Sequence, residues 1–326
     1  MARRTLTALS ALTLAAALTA VGGARAPAAT APPPPDTPVT SDGRIGAPPG
    51  APRATARHTT GFAGTGAGSA RPADARPADA RPADARPADA RPADAGPRAT
   101  APGGTGVQSI IAPDGRVQVT GTTAYPASAD VYVTYTRPNG STGWCTGWLY
   151  AANAVATAGH CVHSGGSGGA WNTNFTVHPG RDGGSSPFGS CGVSNTFSVT
   201  GWTQNANAEY DYAGFKLNCS VGDTTGWYGM SWTTASLDGT AVGSSGYPQD
   251  KPAGTQWSTT SSISASYPRQ LAHHLDTVGG QDGSVVRAAG CSTFCGIAVH
   301  AYGHGDHNRG TRITEAVFAN YQNWRL

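Results

Sequence analysis

All six cysteines of the chain lie between residues 145 and 295, and the first 144 residues contain none. An even number of cysteines behind a secretory signal predicts a disulfide framework, which restricts the chain to folds that the bridges can close. Six cysteines can pair in many ways, and the sequence does not choose among them. We expect pairing in neighbour order. A zinc site is the weaker interpretation, because no Cys-x-x-Cys pair occurs. The cysteines are Cys145, Cys161, Cys191, Cys219, Cys291 and Cys295.

Residues 1–26 have the features of a secretory signal peptide. Arg3 and Arg4 precede a short apolar run at 6–21, and Ala24-Arg25-Ala26 supplies small residues for cleavage. The apolar run is too short and too rich in Ala and Thr for a membrane span, and no later stretch has the length for one. We therefore predict a secreted, extracellular protein without a membrane span.

Residues 27–106 are rich in Ala, Pro, Gly, Thr and Arg. A five-residue period with a proline in each unit fits neither helix nor strand, and nothing apolar is available to bury. We predict a disordered pro-segment or linker. The pentapeptide Arg-Pro-Ala-Asp-Ala occurs five times in it, opening at Arg71, Arg76, Arg81, Arg86 and Arg91.

Residues 107–326 have the size of one globular domain. Short runs of Val and aromatic residues at alternate positions, bounded by Gly, Pro and Asn, predict an all-β fold. Helical spacing occurs only near the end, around Val317 and Tyr321. Ten Lys and Arg against twelve Asp and Glu give this region a net charge of −2. Nucleic-acid binding therefore lacks its usual basic patch.

The stretch Thr157-Ala158-Gly159-His160-Cys161 ends a strand-like run and places a histidine beside a cysteine that a disulfide can fix. An imidazole held in one orientation suits a general base in acyl transfer. A lone histidine is more often structural, so the interpretation depends on its surroundings. With the upstream Cys145-Thr146-Gly147-Trp148, the stretch resembles the histidine motif of chymotrypsin-fold serine proteases, and the flanking sequence is most similar to the glutamyl endopeptidase branch.

The resemblance covers nearly all of 107–326, because Gly246-Tyr247-Pro248 and Asn308–Thr314 also match that branch in order. It implies a chymotrypsin-like double antiparallel β-barrel with a C-terminal helix, and a Cys145–Cys161 bridge. We place the first barrel at about 107–220, the second at about 221–312 and the helix at about 313–325. Asp211 corresponds to the acid that orients the histidine, although an Asp before a strand is most often a turn residue.

The chain departs from the family at the nucleophile loop. The resembling proteases read Gly-x-Ser-Gly-Ser-Pro there, and this chain reads Gly280-Gln281-Asp282-Gly283-Ser284-Val285. The resemblance thus places Asp282 at the nucleophile position and Gly280 in the oxyanion hole. Ser284 is the alternative attacker, but Val285 would then stand where a glycine should follow the nucleophile.

A carboxylate at position 282 changes the expected chemistry. It is a weak attacker on an amide, and its charge would repel a developing oxyanion. Asp211 and Asp282 on either side of His160 should hold the imidazole protonated and prevent it from acting as a base. We therefore expect a serine endopeptidase homologue with impaired activity. The alternatives are an inactive homologue that binds peptides without cutting them and, least supported, a cell-wall structural protein.

His300 matches the histidine that lines the primary pocket of glutamyl endopeptidases, and Thr277 matches a hydroxyl residue of that pocket. Both favour a substrate glutamate. Asp276 lies near the place where trypsin-like pockets keep the acid that attracts Arg and Lys, so it favours the opposite preference unless its loop turns it outward. The crowded His304, Asp306 and His307 are more typical of a solvated loop than of a metal site. We expect a monomer that binds a protein or peptide and needs no cofactor or metal.

Overall fold

Fifteen β-strands form in the part of the chain that the computed structural model describes, which is residues 31–48, 57–66 and 109–326. In chain order they are β1 (Pro38–Thr40), β2 (Val117–Gln118), β3 (Asp130–Thr136), β4 (Thr142–Ala151), β5 (Ala154–Thr157), β6 (Thr173–Pro179), β7 (Cys191–Val199), β8 (Ala213–Leu217), β9 (Gly229–Met230), β10 (Ala241–Gly246), β11 (Trp257–Ser266), β12 (Gln270–His273), β13 (Val285–Gly290), β14 (Thr293–Gly303) and β15 (Asn308–Arg312). The α-helices are α1 (Thr200–Thr203), α2 (Gly222–Thr225) and α3 (Glu315–Trp324). Short 3-10 helices span Ala127–Ala129, Gly159–Cys161 and Ala208–Tyr210.

The strands form two closed antiparallel barrels of six strands each. In the first, the order β6-β3-β4-β5-β8-β7 closes through pairing of β7 with β6. In the second, the order β10-β13-β14-β15-β12-β11 closes through pairing of β10 with β11. Closure leaves few strand edges open, which suits short antiparallel strands joined by Gly-rich and Pro-rich turns. The prediction of a chymotrypsin-like all-β fold is confirmed.

Helix α3 follows the second barrel in sequence but packs against the first. The hydroxyl of Tyr321 donates to the carbonyl of Ala213 at 3.2 Å, and the ring of Trp324 stacks on Phe197. Tyr321 is fully buried, so the helix buries large aromatic side chains and ties the end of the chain to the first barrel. Thr314 is the N-cap, and its side chain accepts from the N–H of Val317. No described helix is long and apolar enough to span a membrane.

Three disulfides join the cysteines in neighbour order, as predicted, and none of the six is free. One of them, Cys145–Cys161, links β4 to the 3-10 helix Gly159–Cys161. The other two are Cys191–Cys219 and Cys291–Cys295.

Two stretches of 27–106, where the sequence predicts disorder throughout, lie against the barrels. Strand β1 pairs antiparallel with the end of β7, and residues 57–66 hydrogen-bond to residues 223–232. The prediction of disorder is therefore wrong for these two stretches, because main-chain pairing orders them without requiring an apolar sequence. The predicted signal peptide 1–26 and the five repeats lie outside the described residues.

Candidate active site

His160 lies on the 3-10 helix Gly159–Cys161, whose last residue is fixed to β4 by the Cys145–Cys161 disulfide. Its main-chain N–H donates to Oδ1 of Asp211 at 2.7 Å, and Nδ1 of its ring lies 2.7 Å from Oδ2. A Cβ on Gly159 would approach Oδ1 of Asp211 to 2.8 Å, so only glycine leaves room for this contact. The carboxylate therefore holds both the backbone and the ring of the histidine.

Asp211 follows the 3-10 helix Ala208–Tyr210 and is fully buried. The hydroxyl of Tyr302 donates to Oδ2, and the hydroxyl of Thr311 donates to the carbonyl oxygen of Asp211 at 3.0 Å. Sequence analysis missed both residues. Tyr302 follows His300 by two positions on β14, but the register with β15 shifts between them, so strand alternation gives no reliable signal for it.

Asp282 lies in the loop between β12 and β13, on the opposite side of the His160 ring from Asp211. Its Oδ1 is 3.2 Å from Nε2 of His160, which is an ion-pair distance. Its Oδ2 accepts from the N–H of Gly280 at 3.3 Å. One carboxylate thus contacts both the free nitrogen of the imidazole and the main-chain donor predicted for the oxyanion hole.

Strand β4 of the first barrel holds the backbone of this loop. The N–H of Thr146 donates to the carbonyl of Asp282 at 2.9 Å, and its hydroxyl donates to the carbonyl of Gly280 at 2.8 Å. Gly283 has φ +85°, and a Cβ there would stand 2.2 Å from the carbonyl oxygen of Thr146. A residue with a side chain would push the loop away from the strand. The position of Asp282 opposite His160 is therefore set by main-chain contacts.

The electrostatics at His160 follow from its two acidic neighbours. Burial of the ring lowers the pKa of His160, but the negative charges of Asp211 and Asp282 outweigh burial and raise the pKa well above its ordinary value. The two carboxylates therefore favour the protonated form of the imidazole.

Ser284 does not reach His160. It is fully buried, and the hydroxyl of Ser244 donates to its Oγ at 2.9 Å. Its carbonyl accepts from the N–H of His300 at 2.9 Å. This position faces the interior of the second barrel.

The predicted pocket residues are in different environments. His300 on β14 and Thr277 in the loop after β12 are fully buried, and their side-chain polar atoms have no hydrogen-bond partner in the described part of the chain. Burial, together with neighbouring His273 and His160, lowers the pKa of His300 well below its ordinary value. Burial and these two neighbours therefore favour the neutral form of the His300 ring.

Both carboxylate oxygens of Asp276 are engaged. They accept from the main-chain N–H groups of Ile111 at 2.7 Å and of Gly115 at 2.8 Å. The side chain thus holds the segment that leads into β2.

The loop residues considered as metal ligands contact one another. His304 and His307 stack with ring centroids 4.9 Å apart, and Nδ1 of His307 lies 2.6 Å from Oδ1 of Asp306. Cys145 and Cys161 lie close to His160, but their sulfurs are bonded to each other and are not thiolate ligands.

Comparison with known proteins gives consistent matches. Residues 118–280 match the family described as Trypsin. The glutamyl endopeptidase of Bacillus licheniformis is 44% identical over 227 residues, which cover 67% of this chain and 70% of that protein. A protein of Bacillus subtilis named extracellular metalloprotease is 42% identical over 219 residues, 66% of this chain and 69% of that protein.

Solved structures agree. A structure of Glu endopeptidase superposes with a TM-score of 0.60 at 28% identity, covering 66% of this chain and 98% of the other. The protease Anisep from Arthrobacter nicotinovorans superposes with a TM-score of 0.54 at 22% identity, over 60% of this chain and 95% of the other. The second likeness concerns the fold alone.

Proposed function

Because this chain belongs to the trypsin family, as a glutamyl endopeptidase-like member, we propose that it is a secreted serine endopeptidase homologue whose peptide-bond hydrolysis is impaired by Asp282. The observation that carries this proposal is the contact of the Asp282 carboxylate with both Nε2 of His160 and the N–H of Gly280. Acyl transfer needs a free imidazole nitrogen to take the proton of the nucleophile, and an N–H to stabilise the oxyanion. In this chain the carboxylate of Asp282 contacts both of these groups.

The roles assigned to the other residues follow the family. His160 is the proposed base, Asp211 orients it, and Gly280 is the proposed oxyanion-hole donor. Removal of the serine nucleophile from a triad lowers turnover by on the order of 10⁶. We expect at least this loss here, since the carboxylate of Asp282 also favours the protonated form of His160.

The test is a gain of function in the full-length protein. Wild type and Asp282→Ser are assayed on peptides that carry Glu, Gln, Lys or Phe before the scissile bond. Wild type should stay at background. The variant should gain about a hundredfold or more, because His160, Asp211 and the loop N–H groups are already in position.

The replacement Asp282→Ala is the matched control, since it removes the charge without supplying a nucleophile and should remain inactive. A fluorophosphonate should label Asp282→Ser and not wild type. Replacing Val285 with proline in the serine variant restores the family loop, in case the single variant is weak. Strong hydrolysis by wild type that Ser284→Ala abolishes and Asp282→Ala leaves intact would overturn the assignment.

A second candidate function is peptide binding without cleavage. The buried polar atoms of His300 and Thr277 support it, because they have no hydrogen-bond partner among the described residues and a bound peptide would supply one. A substrate glutamate suits them better than a lysine, since the carboxylate of Asp276 is used by the main chain of 111–115. Fluorescence anisotropy should show wild type binding a Glu peptide more tightly than its Gln counterpart, and His300→Ala should remove the difference.

Secretion is part of the proposal. Three disulfides are typical of an oxidising compartment, and one similar protein is named as extracellular. The protein should therefore be recovered from the culture medium with no alkylatable thiol.

A further inference from the structure

The N-terminal stretch 34–46 contributes a strand to the outside of the first barrel. Beyond the pairing of β1 with β7, the N–H of Gly201 donates to the carbonyl of Pro35 at 2.8 Å, and the N–H of Ser41 donates to the carbonyl of Thr196 at 3.1 Å. Strand addition of this kind binds a segment through its main chain.

Asp36 connects this stretch to three other parts of the fold. Its Oδ1 accepts from the hydroxyl of Tyr212 at 2.8 Å and pairs with Nη2 of Arg269 at 2.8 Å. Its carbonyl oxygen accepts from Nδ2 of Asn320 in helix α3 at 2.9 Å. The side chains of Asp36 and Arg269 are only 15% and 17% exposed, so water screens their attraction less than that of a surface pair.

The second stretch, 57–66, binds a different face of the domain. Seven main-chain hydrogen bonds join it to residues between 223 and 232 and to Cys291, including a reciprocal pair between Phe62 and Trp227. The rings of these two residues lie 4.6 Å apart. Main-chain and aromatic contacts therefore act together here.

Two glycines permit the close approach of this stretch. A Cβ on Gly61 would stand 2.3 Å from Oγ1 of Thr293. Gly64 has φ +81°, and a Cβ there would stand 2.3 Å from the carbonyl oxygen of Thr224. Because these two positions have no side chain, the main chain of the stretch lies closer to the surface of the domain than other residues would allow.

Neither stretch lies on the candidate active site. Among the described residues, 33–48 and 57–66 make no hydrogen bond or ion pair with His160, Asp282 or His300. Residues 1–144 also contain no cysteine, so no disulfide ties them to the domain. Apart from the chain connection through residues 67–108, their attachment to the domain is therefore non-covalent.

We propose that the stretches 34–46 and 57–66 together form a non-covalently bound subunit of the domain, so that a cut between residues 66 and 109 gives a stable two-chain protein. The partner that binds these surfaces of the domain is the N-terminal segment of the same chain. After the cut, this segment keeps those Arg-Pro-Ala-Asp-Ala repeats that precede the cut site. The inference does not depend on whether the protein hydrolyses peptides.

The test places a recognition sequence for a site-specific protease at residues 81–85 of the full-length protein. After complete cutting, gel filtration and native mass spectrometry at about micromolar concentration should show both pieces together, in one-to-one ratio. Urea that unfolds the domain should separate them. Elution of the N-terminal piece on its own under native conditions would overturn the proposal, whatever happens to the remaining piece.

Matched variants locate the binding surface. After cutting, Asp36→Asn should release the N-terminal piece at concentrations at least tenfold higher than wild type does. Asp42→Asn should not, because among the described residues Asp42 bonds to Thr40 and Arg44 of its own turn and to no other. Gly61→Ala should act like Asp36→Asn, with exposed Thr60→Ala as its control. Equal retention of all four variants would show that the described contacts do not hold the segment, which would also contradict the proposal.

Discussion

Oδ1 of Asp282 lies 3.2 Å from Nε2 of His160, while Nδ1 of the same ring lies 2.7 Å from Oδ2 of Asp211. The imidazole is therefore held between two carboxylates. An active triad needs one acid on one side of the ring and a neutral nucleophile on the other. The difference has consequences for titration, for activity and for stability that can be measured separately.

The first prediction concerns the titration of His160. In wild type its pKa should lie well above the ordinary value, and Asp282→Asn should lower it, because one of the two charges that favour the imidazolium is removed. NMR of histidine-labelled protein measures this, with His160→Gln to assign the signal and Asp306→Asn as a control that should leave it unchanged.

The raised pKa of His160 also predicts how the stability of the fold changes with pH. A raised histidine pKa stabilises the fold fully below the pKa of the unfolded chain, and the contribution is lost as the pH rises through the folded pKa. The unfolding free energy of wild type minus that of Asp282→Asn should therefore be largest at low pH. It should fall as the pH rises through the folded pKa of His160 in wild type. A constant difference from pH 5 to pH 10 would contradict the assignment.

The second prediction concerns Tyr302, whose hydroxyl donates to Oδ2 of Asp211. In the Asp282→Ser background, Tyr302→Phe should lower kcat by about tenfold with little change in KM, because a hydrogen bond to the orienting carboxylate is lost. Tyr267→Phe is the control, since that ring is exposed and lies against the guanidinium of Arg309. An equal loss in both variants would indicate a general effect on folding.

The third prediction concerns Asp130, a fully buried carboxyl group at the start of β3. Burial raises its pKa to about 7, against the opposing effects of Arg287 and of the hydroxyl of Tyr228. The folded state then keeps a proton that the unfolded chain loses at lower pH. Stability should fall as the pH rises from about 4 to about 7, by up to about 1.4 kcal/mol per pH unit.

Urea unfolding of Asp130→Asn tests this. The variant should lack that pH dependence, while Asp223→Asn at an exposed position should keep it. If wild type gains stability over the same interval relative to Asp130→Asn, the carboxyl is ionised in the fold and the prediction is wrong.

The fourth prediction concerns the start of α3. Thr314→Ala removes the acceptor for the N–H of Val317 and should cost about 1 kcal/mol in unfolding free energy. Thr314→Ser keeps the oxygen and should cost much less. Thermal unfolding of the two variants side by side measures the difference.

Much of the fold and of the candidate site could be predicted from local motifs. The pairing of Cys145 with Cys161, and the proximity of His160 to Asp211, follow from the resemblance of short stretches to the motifs of chymotrypsin-fold proteases. The cap Thr314 has only a weak sequence signal, because no Glu or Gln follows at the third helical position and its oxygen accepts from a main-chain N–H that every residue but proline offers.

Contacts made by the main chain could not be predicted. The order of residues 34–46 depends on pairing of β1 with β7, and Pro-rich composition carries no signal for it. Asp276 is a similar case. Its position in the sequence suggests a pocket acid, whereas in the structure its side chain accepts from the N–H groups of Ile111 and Gly115. Which donors meet a carboxylate depends on the path of distant loops, which local sequence does not specify.

The pairing of β1 has a consequence for behaviour in solution. β6 pairs with β7 only near Cys191 and Gly192, and β1 takes the same edge further along, from Phe197 to Val199. Without residues 34–46, that length of β7 would present free N–H and C=O groups, which are a template for another chain. Shortened forms of the protein that begin after residue 48 should therefore self-associate and precipitate more readily than the full chain.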